Sequence, residues 1–169
     1  MPTRMGNEHP SLYPYEPFPA RDKDIVIAVG NNGQFARLCR CLGAPELAED
    51  ERFRTVSARN ANRVELRRLM IERLAARDAE DWFERLKAVQ VPCAPILGVD
   101  EGVRFAEGLG LDPVVLAGSG DREIPTVRHP VEFSRTPVDY TQAPPRLDGD
   151  RDTILTWLRN AQPAARQAS

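Results

Sequence analysis

Fifteen prolines are spread unevenly over 169 residues, and where they fall decides what each stretch can become. Most gather in residues 2–19, 92–95 and 125–145. Proline fixes φ and has no amide hydrogen for a ladder, so these stretches are excluded from helix interiors and central strands. The pattern predicts a middle that packs, with extended segments on either side. Residues 1–23 form the first extended arm. It carries Tyr13, Tyr15 and Phe18, which are expected to pack, either on this chain's own core or on a partner.

Between the proline clusters, apolar spacing sets the elements. Asp22-Lys23-Asp24 reads as a polar turn before Ile25-Val26-Ile27-Ala28-Val29, a buried strand rich in β-branched residues. The strand runs into Gly30-Asn31-Asn32-Gly33-Gln34, a turn with Asn32 as its cap. Phe35, Leu38 and Leu42 follow at helical spacing, with Gly43 at the C-terminal stop. Residues 44–57 read as a connector. A second helix over 62–76 turns Leu66, Leu69, Met70 and Leu74 to one side. Asp78 is the expected N-cap of a third helix, which buries Trp82, Leu86 and Val89. An extended stretch at 93–99 precedes a short helix over 100–107. Residues 113–133 predict a hairpin about Gly118-Ser119-Gly120-Asp121, and 150–160 a last helix. Residues 161–169 read as a flexible tail. The fold class is α/β, in the α+β sense: three to four helices on a small sheet, with proline-rich arms and a C-terminal helix.

Composition narrows the functional classes. At 41% hydrophobic and 28% charged residues the chain is globular in type. A net charge of −2 carries no nucleic-acid footprint. No stretch approaches the roughly 20 apolar residues of a membrane span, and the N-terminus has no apolar signal region. Cys39, Cys41 and Cys93 have neither zinc nor redox spacing, which predicts reduced thiols in a cytoplasmic protein. His9 and His129 each precede a proline and read as structural or exposed. No metal-ligating set and no Ser/His/Asp order is present, so no catalytic residue is assigned. Asp148-Gly149-Asp150-Arg151-Asp152 lacks the glutamate of a calcium loop and reads as a helix start. The arginines of the second helix (Arg63, Arg67, Arg68, Arg73, Arg77) read as a solvated face.

The strongest chemical signal is the turn Gly30, Asn31, Asn32, Gly33, Gln34. Glycines permit φ > 0 and close ligand approach, and amides at a helix start can face an anion or oxyanion. A tight structural turn accounts for the same residues. Neither a P-loop nor a dinucleotide fingerprint is present.

A series of motifs then resembles the family III CoA-transferases, which include formyl-CoA transferase and the carnitine and bile-acid CoA-transferases. The series runs through Gly6-Asn7-Glu8-His9-Pro10, Pro14-Tyr15-Glu16-Pro17-Phe18 and Asp24 to Phe35. It continues through Leu42-Gly43, Asp50 to Phe53, Arg59-x-x-Asn62-Arg63 and Trp82-x-x-x-Leu86. Val91 to Pro95, Ser134 to Pro137 and Pro144-Pro145 complete it. The resemblance implies the C-terminal part of an enzyme that moves CoA between an acyl-CoA and a carboxylic acid. It implies residues 24–110 as the family's small domain and 111–160 as a return segment with a hairpin and a C-terminal helix. The catalytic aspartate belongs to the family's N-terminal half, and no position here matches its motif. Activity would then need that half, in cis or in trans. Gly30 to Gln34 aligns with the glycine-rich loop of formyl-CoA transferase, with asparagines where that enzyme has glycines. The resemblance thus makes Gly30, Asn31, Asn32, Gly33 and Gln34 substrate-binding candidates. It also implies a coenzyme A thioester as substrate, no permanently bound cofactor, and an interlocked homodimer. A fragment of an α-methylacyl-CoA racemase and a non-catalytic binding or regulatory module are the alternatives. Racemases usually lack the glycine-rich loop, which favours the transferase.

Overall fold

The β-branched run after Asp24 forms the central strand of a three-stranded antiparallel sheet in the computed structural model, which describes residues 6–160. Strand β1 is Tyr15–Pro19, β2 is Asp24–Ala28 and β3 is Cys93–Pro95, in the order β1-β2-β3. The segment expected as an extended arm is, at Tyr15–Pro19, an edge strand. The register explains how it tolerates its prolines. The Ala28 amide donates to the Pro92 carbonyl and the Ile96 amide to Asp24, so Asp24 and Ala28 face β3. By alternation Ile25 and Ile27 bond toward β1, opposite Phe18 and Glu16. Pro17 and Pro19 take the intervening places, where an amide would point away from the ladder. The expected tail at 161–169 lies outside the described residues.

The chain divides into two units at Leu97/Gly98. In the first, helices cover the sheet: α1 Asn32–Cys41, α2 Val56–Ala61, α3 Arg63–Leu74 and α4 Ala79–Ala88, with a 3-10 turn at Pro45–Ala48. Phe18, Ile25, Ile27, Leu38, Phe53, Leu66, Leu74 and Leu86 are fully buried in one core. Each such side chain contributes about 1.5–3 kcal/mol on leaving water. Tyr13 and Phe18 pack in this chain's own core, whereas Tyr15 stays partly exposed and stacks on His9 with ring centres 5.0 Å apart. Gly43 ends α1 in the left-handed region at φ +69°, as its position predicts.

Two local expectations change. Residues 44–57 are not wholly a connector, because α2 begins at Val56 under the Thr55 side chain, which accepts from the Ala58 amide. Asp78 precedes α4 but does not cap it. Its carboxylate is held by Arg21 in a two-pronged ion pair at 2.6 and 2.7 Å, and the Ala79 amide donates to Asp22.

The second unit holds α5 Val99–Gly108, a hairpin of β4 Val114–Ser119 with β5 Arg122–Val127, and α6 Arg151–Asn160. Gly118 is obligatory in the hairpin: at φ +115° an added Cβ would lie 1.9 Å from the Arg122 carbonyl oxygen. Among the described residues from Gly98 onward only Ala117 is buried. Ile154, Leu155, Trp157 and Leu158 of α6 are all exposed, so this unit leaves its apolar side chains uncovered.

Candidate functional site

The turn from Gly30 to Gln34 joins the buried end of β2 to α1, with Val29 sealed in the core and residues 30–33 exposed. Asn31 is the cap. Its backbone is extended and its Oδ1 accepts from the Gln34 amide at 2.9 Å. The Gln34 Oε1 in turn accepts from the Gly30 amide at 2.7 Å. This is close to a capping box, with the glutamine reaching one residue further back than usual. The expected cap, Asn32, is instead the first helical residue. Neither Gly30 nor Gly33 adopts positive φ, so the expected left-handed backbone is absent from the turn. At Gly33 the glycine supplies clearance, whereas at Gly30 a side chain would meet only ordinary contact. A Cβ at Gly33 would lie 3.3 Å from the Asn31 Oδ1, and one at Gly30 would lie 3.5 Å from the Gln34 Oε1.

All five candidate residues come together here. The amides of Asn32 and Gly33 have no partner within the helix and sit at its positive end, where no acidic residue occupies the first turn. The exposed side of the turn therefore offers hydrogen-bond donors and can receive an acceptor oxygen.

Beneath the turn is a residue that the pattern reading did not single out for a site. Arg59 on α2 is fully buried. Its Nε donates to the Tyr13 carbonyl at 2.8 Å, its Nη1 to the Phe53 carbonyl at 2.9 Å and its Nη2 to the Asn32 Oδ1 at 3.1 Å. The guanidinium also lies 4.4 Å from the centre of the Phe35 ring. Among the described residues no carboxylate pairs with it, and burial lowers its pKa from the usual arginine value. An arginine followed by Asn62 and Arg63 was visible in the sequence, but nothing local distinguished it from the solvated arginines nearby.

A second buried polar group was also missed. Strand alternation turns Glu16 inward beside Phe18, leaving it 3% exposed. The Tyr13 hydroxyl donates to its Oε1 at 2.9 Å, and the Arg67 Nε lies 3.3 Å from the same oxygen. Burial raises the Glu16 pKa above the ordinary glutamate value, against the opposing pull of the Tyr13 hydrogen bond and Arg67. Burial, reinforced by Glu16, raises that of Tyr13. The signal for Glu16 was present in the 16/18 alternation, but it becomes readable only once β1 is taken as a strand.

Of the arginines expected to form a solvated face, Arg67, Arg68, Arg73 and Arg77 keep side chains 41–61% exposed, Arg77 lying just past the end of α3, while Arg63 is only 18% exposed. Arg63 donates to the His9 and Pro10 carbonyls, and Arg67 reaches Glu16. Arg68 pairs with Glu65 and Glu72, and Arg77 with Asp81. His9 Nδ1 accepts from the amides of Ser11 and Leu12, a turn-stabilising role. The three cysteines are free, with burial pushing the Cys39 thiol up to about 12 and that of Cys93 to about 11. Among the described residues no cluster of histidine, cysteine, aspartate and glutamate could hold a metal ion. No described helix is long and apolar enough to cross a membrane. Within the second unit a cavity of about 800 Å³ is lined by Leu111, Val127, His129, Phe133, Val138 and Tyr140.

The family described as CoA-transferase family III matches residues 1–151. The succinate–glutarate CoA-transferase of Agrobacterium fabrum is 35% identical over 97% of this chain and 41% of that protein. The acetyl-CoA:oxalate CoA-transferase of Acetobacter aceti is 35% identical over 69% of the chain and 30% of that protein. A crystal structure of a CAIB/BAIF family protein from Brucella suis superimposes with a TM-score of 0.75 at 34% identity, over 93% of this chain and 40% of that one. The chain thus spans about two fifths of the length of the Agrobacterium and Brucella relatives. On the family match, the continuous similarity and the shared mixed α/β fold, the chain belongs to CoA-transferase family III.

Proposed function

We infer that this chain is the C-terminal part of an enzyme that moves CoA between an acyl-CoA and a carboxylic acid. In this reading the Gly30–Gln34 turn faces the acyl thioester. The observation that carries it is the donor-lined, capped turn at the start of α1, within a chain of this family. A thioester carbonyl or a carboxylate carries acceptor oxygens, and amides at a helix start complement them. On this reading residues 24–110 act as the small domain and residues 111–160 return toward a half that supplies the catalytic aspartate. The uncovered apolar side chains of α6 support a need for further polypeptide. The enzyme would work in the cytoplasm as an interlocked homodimer, with CoA thioesters as substrates and no resident cofactor.

The relatives' names narrow the acids to try. They mention succinate, glutarate, oxalate and mesaconate, all of them dicarboxylates. The test is an exchange assay with succinyl-CoA as donor and these acids as acceptors, using the chain alone and mixed with an N-terminal family half. Transfer in the mixture alone is the expected result. Transfer by the isolated chain would overturn the assignment of catalysis to the other half. No transfer by a mixture whose two parts fold and bind each other would overturn the transferase reading.

A further inference from the structure

We propose that Arg59 is a positioning residue that fixes the Asn32 side chain with its amide NH2 turned outward from the Gly30–Gln34 turn. The argument starts from what a guanidinium can do. It has donors and no acceptor, so the atom of Asn32 that meets Nη2 at 3.1 Å must be the amide oxygen. The NH2 group is then necessarily the other branch of the amide. In the proposed arrangement the NH2 branch takes the open side of the turn, since Asn32 is exposed and the bond to its oxygen is part-buried. It joins the Asn32 and Gly33 backbone amides, and all three are donors.

Arg59 is held rigidly enough to do this. Two of its bonds go to the main-chain carbonyls of Tyr13 and Phe53, and its plane is backed by Phe35, which is itself buried on α1. The first residue of α1 is thus tied to α2 and to the segment before β1. Gln34 and Asn31 hold the turn from the other side. The turn is therefore a braced platform. Its cation is buried without a carboxylate partner, so it adds positive potential to the donor face instead of being neutralised locally. The ligand chemistry that fits is an acyl group carrying an acceptor oxygen, with a negatively charged acyl group favoured. This last step rests on the reading of the turn as substrate-facing; the positioning does not.

The test separates the two. In the isotopically labelled 169-residue chain, amide exchange at Gln34 and Phe35 reports how firmly the first turn of α1 is held. Asn32→Ala removes the acceptor for Arg59 at an exposed site and should accelerate exchange there about tenfold, the scale of one charge-assisted hydrogen bond. Asn32→Asp keeps an acceptor oxygen and should retain the protection. Arg59→Lys, which can reach fewer of the three acceptors, should behave like Asn32→Ala if it folds. Exchange that is unchanged in Asn32→Ala overturns the positioning role. A second arm measures KM for succinyl-CoA in the mixture with the N-terminal half. There Asn32→Asp should raise KM several-fold with little change in kcat, because it replaces an outward donor by a negative charge. An unchanged KM in this variant would overturn the outward donor as a substrate contact, while the exchange result judges Arg59 independently.

Discussion

Replacing Tyr13 by phenylalanine removes one hydroxyl from the core without opening a cavity, and the cost should depend on pH. The hydroxyl stabilises the buried Glu16 carboxylate directly, at 2.9 Å, whereas Arg67 at 3.3 Å is 41% exposed and partly screened by water. Hydrogen bonds to charged groups are worth about 1.5–3 kcal/mol, and one of this length belongs near the lower end. A loss of about 1.5–2 kcal/mol near neutral pH follows. With a urea m-value of about 1–3 kcal/mol/M, the midpoint should fall by about 1 M. The sign of the pH dependence follows from the raised pKa of Glu16. Its folded form holds a proton over a range in which the unfolded form does not, so Glu16 favours the folded state most once protonated. That advantage is lost as pH rises through the folded pKa. Tyr13→Phe raises the folded pKa further, so the gap between variant and parent should be widest above both values and shrink toward acid pH. Urea unfolding followed by circular dichroism at a series of pH values checks this. A difference that does not vary with pH, or one below about 0.5 kcal/mol near neutrality, would refute the reasoning.

Other outcomes are open to direct measurement. Asn31→Ala should destabilise the first unit by about 1 kcal/mol through loss of the α1 cap, read by thermal unfolding. Trp82 is 3% exposed and donates to the Leu74 carbonyl, whereas Trp157 is 64% exposed. Acrylamide should therefore quench only one emission component in the parent, and Trp157→Phe should leave the blue-shifted, protected one. With its thiol pushed up to about 12, buried Cys39 should resist aromatic disulfide reagents at neutral pH until the chain is unfolded. Rapid labelling of Cys39 in the native state would contradict its burial.

The elements that were legible in the sequence are those whose own periodicity carries the signal. The β2 run, the α1 spacing ended by Gly43, the Leu66-Met70-Leu74 stripe and the Trp82-Leu86 pair all fall where the structure has them. The hairpin was legible from its glycines. What was hidden depended on partners distant in sequence. Two prolines masked β1, because their harmlessness depends on which edge faces β2. Helix α2 has no apolar stripe, since its buried residue is Arg59. The cap of α4 is answered by Asp22, far upstream of the aspartate that local rules favour. At the turn, the five residues were identified but their bracing was not, because Arg59 acts across 27 positions of sequence.

The edge prolines have one more consequence. Pro17 and Pro19 take donors from the outer side of β1, and Pro95 does the same for the outer side of β3, which is only three residues long. Both rims of this sheet are therefore poor templates for another strand, including one from an identical molecule. A growing β-stack finds no continuous row of amides on either flank. Edge-to-edge pairing is thereby disfavoured for these three strands, which leaves side chains as the favoured means of association through this half of the chain.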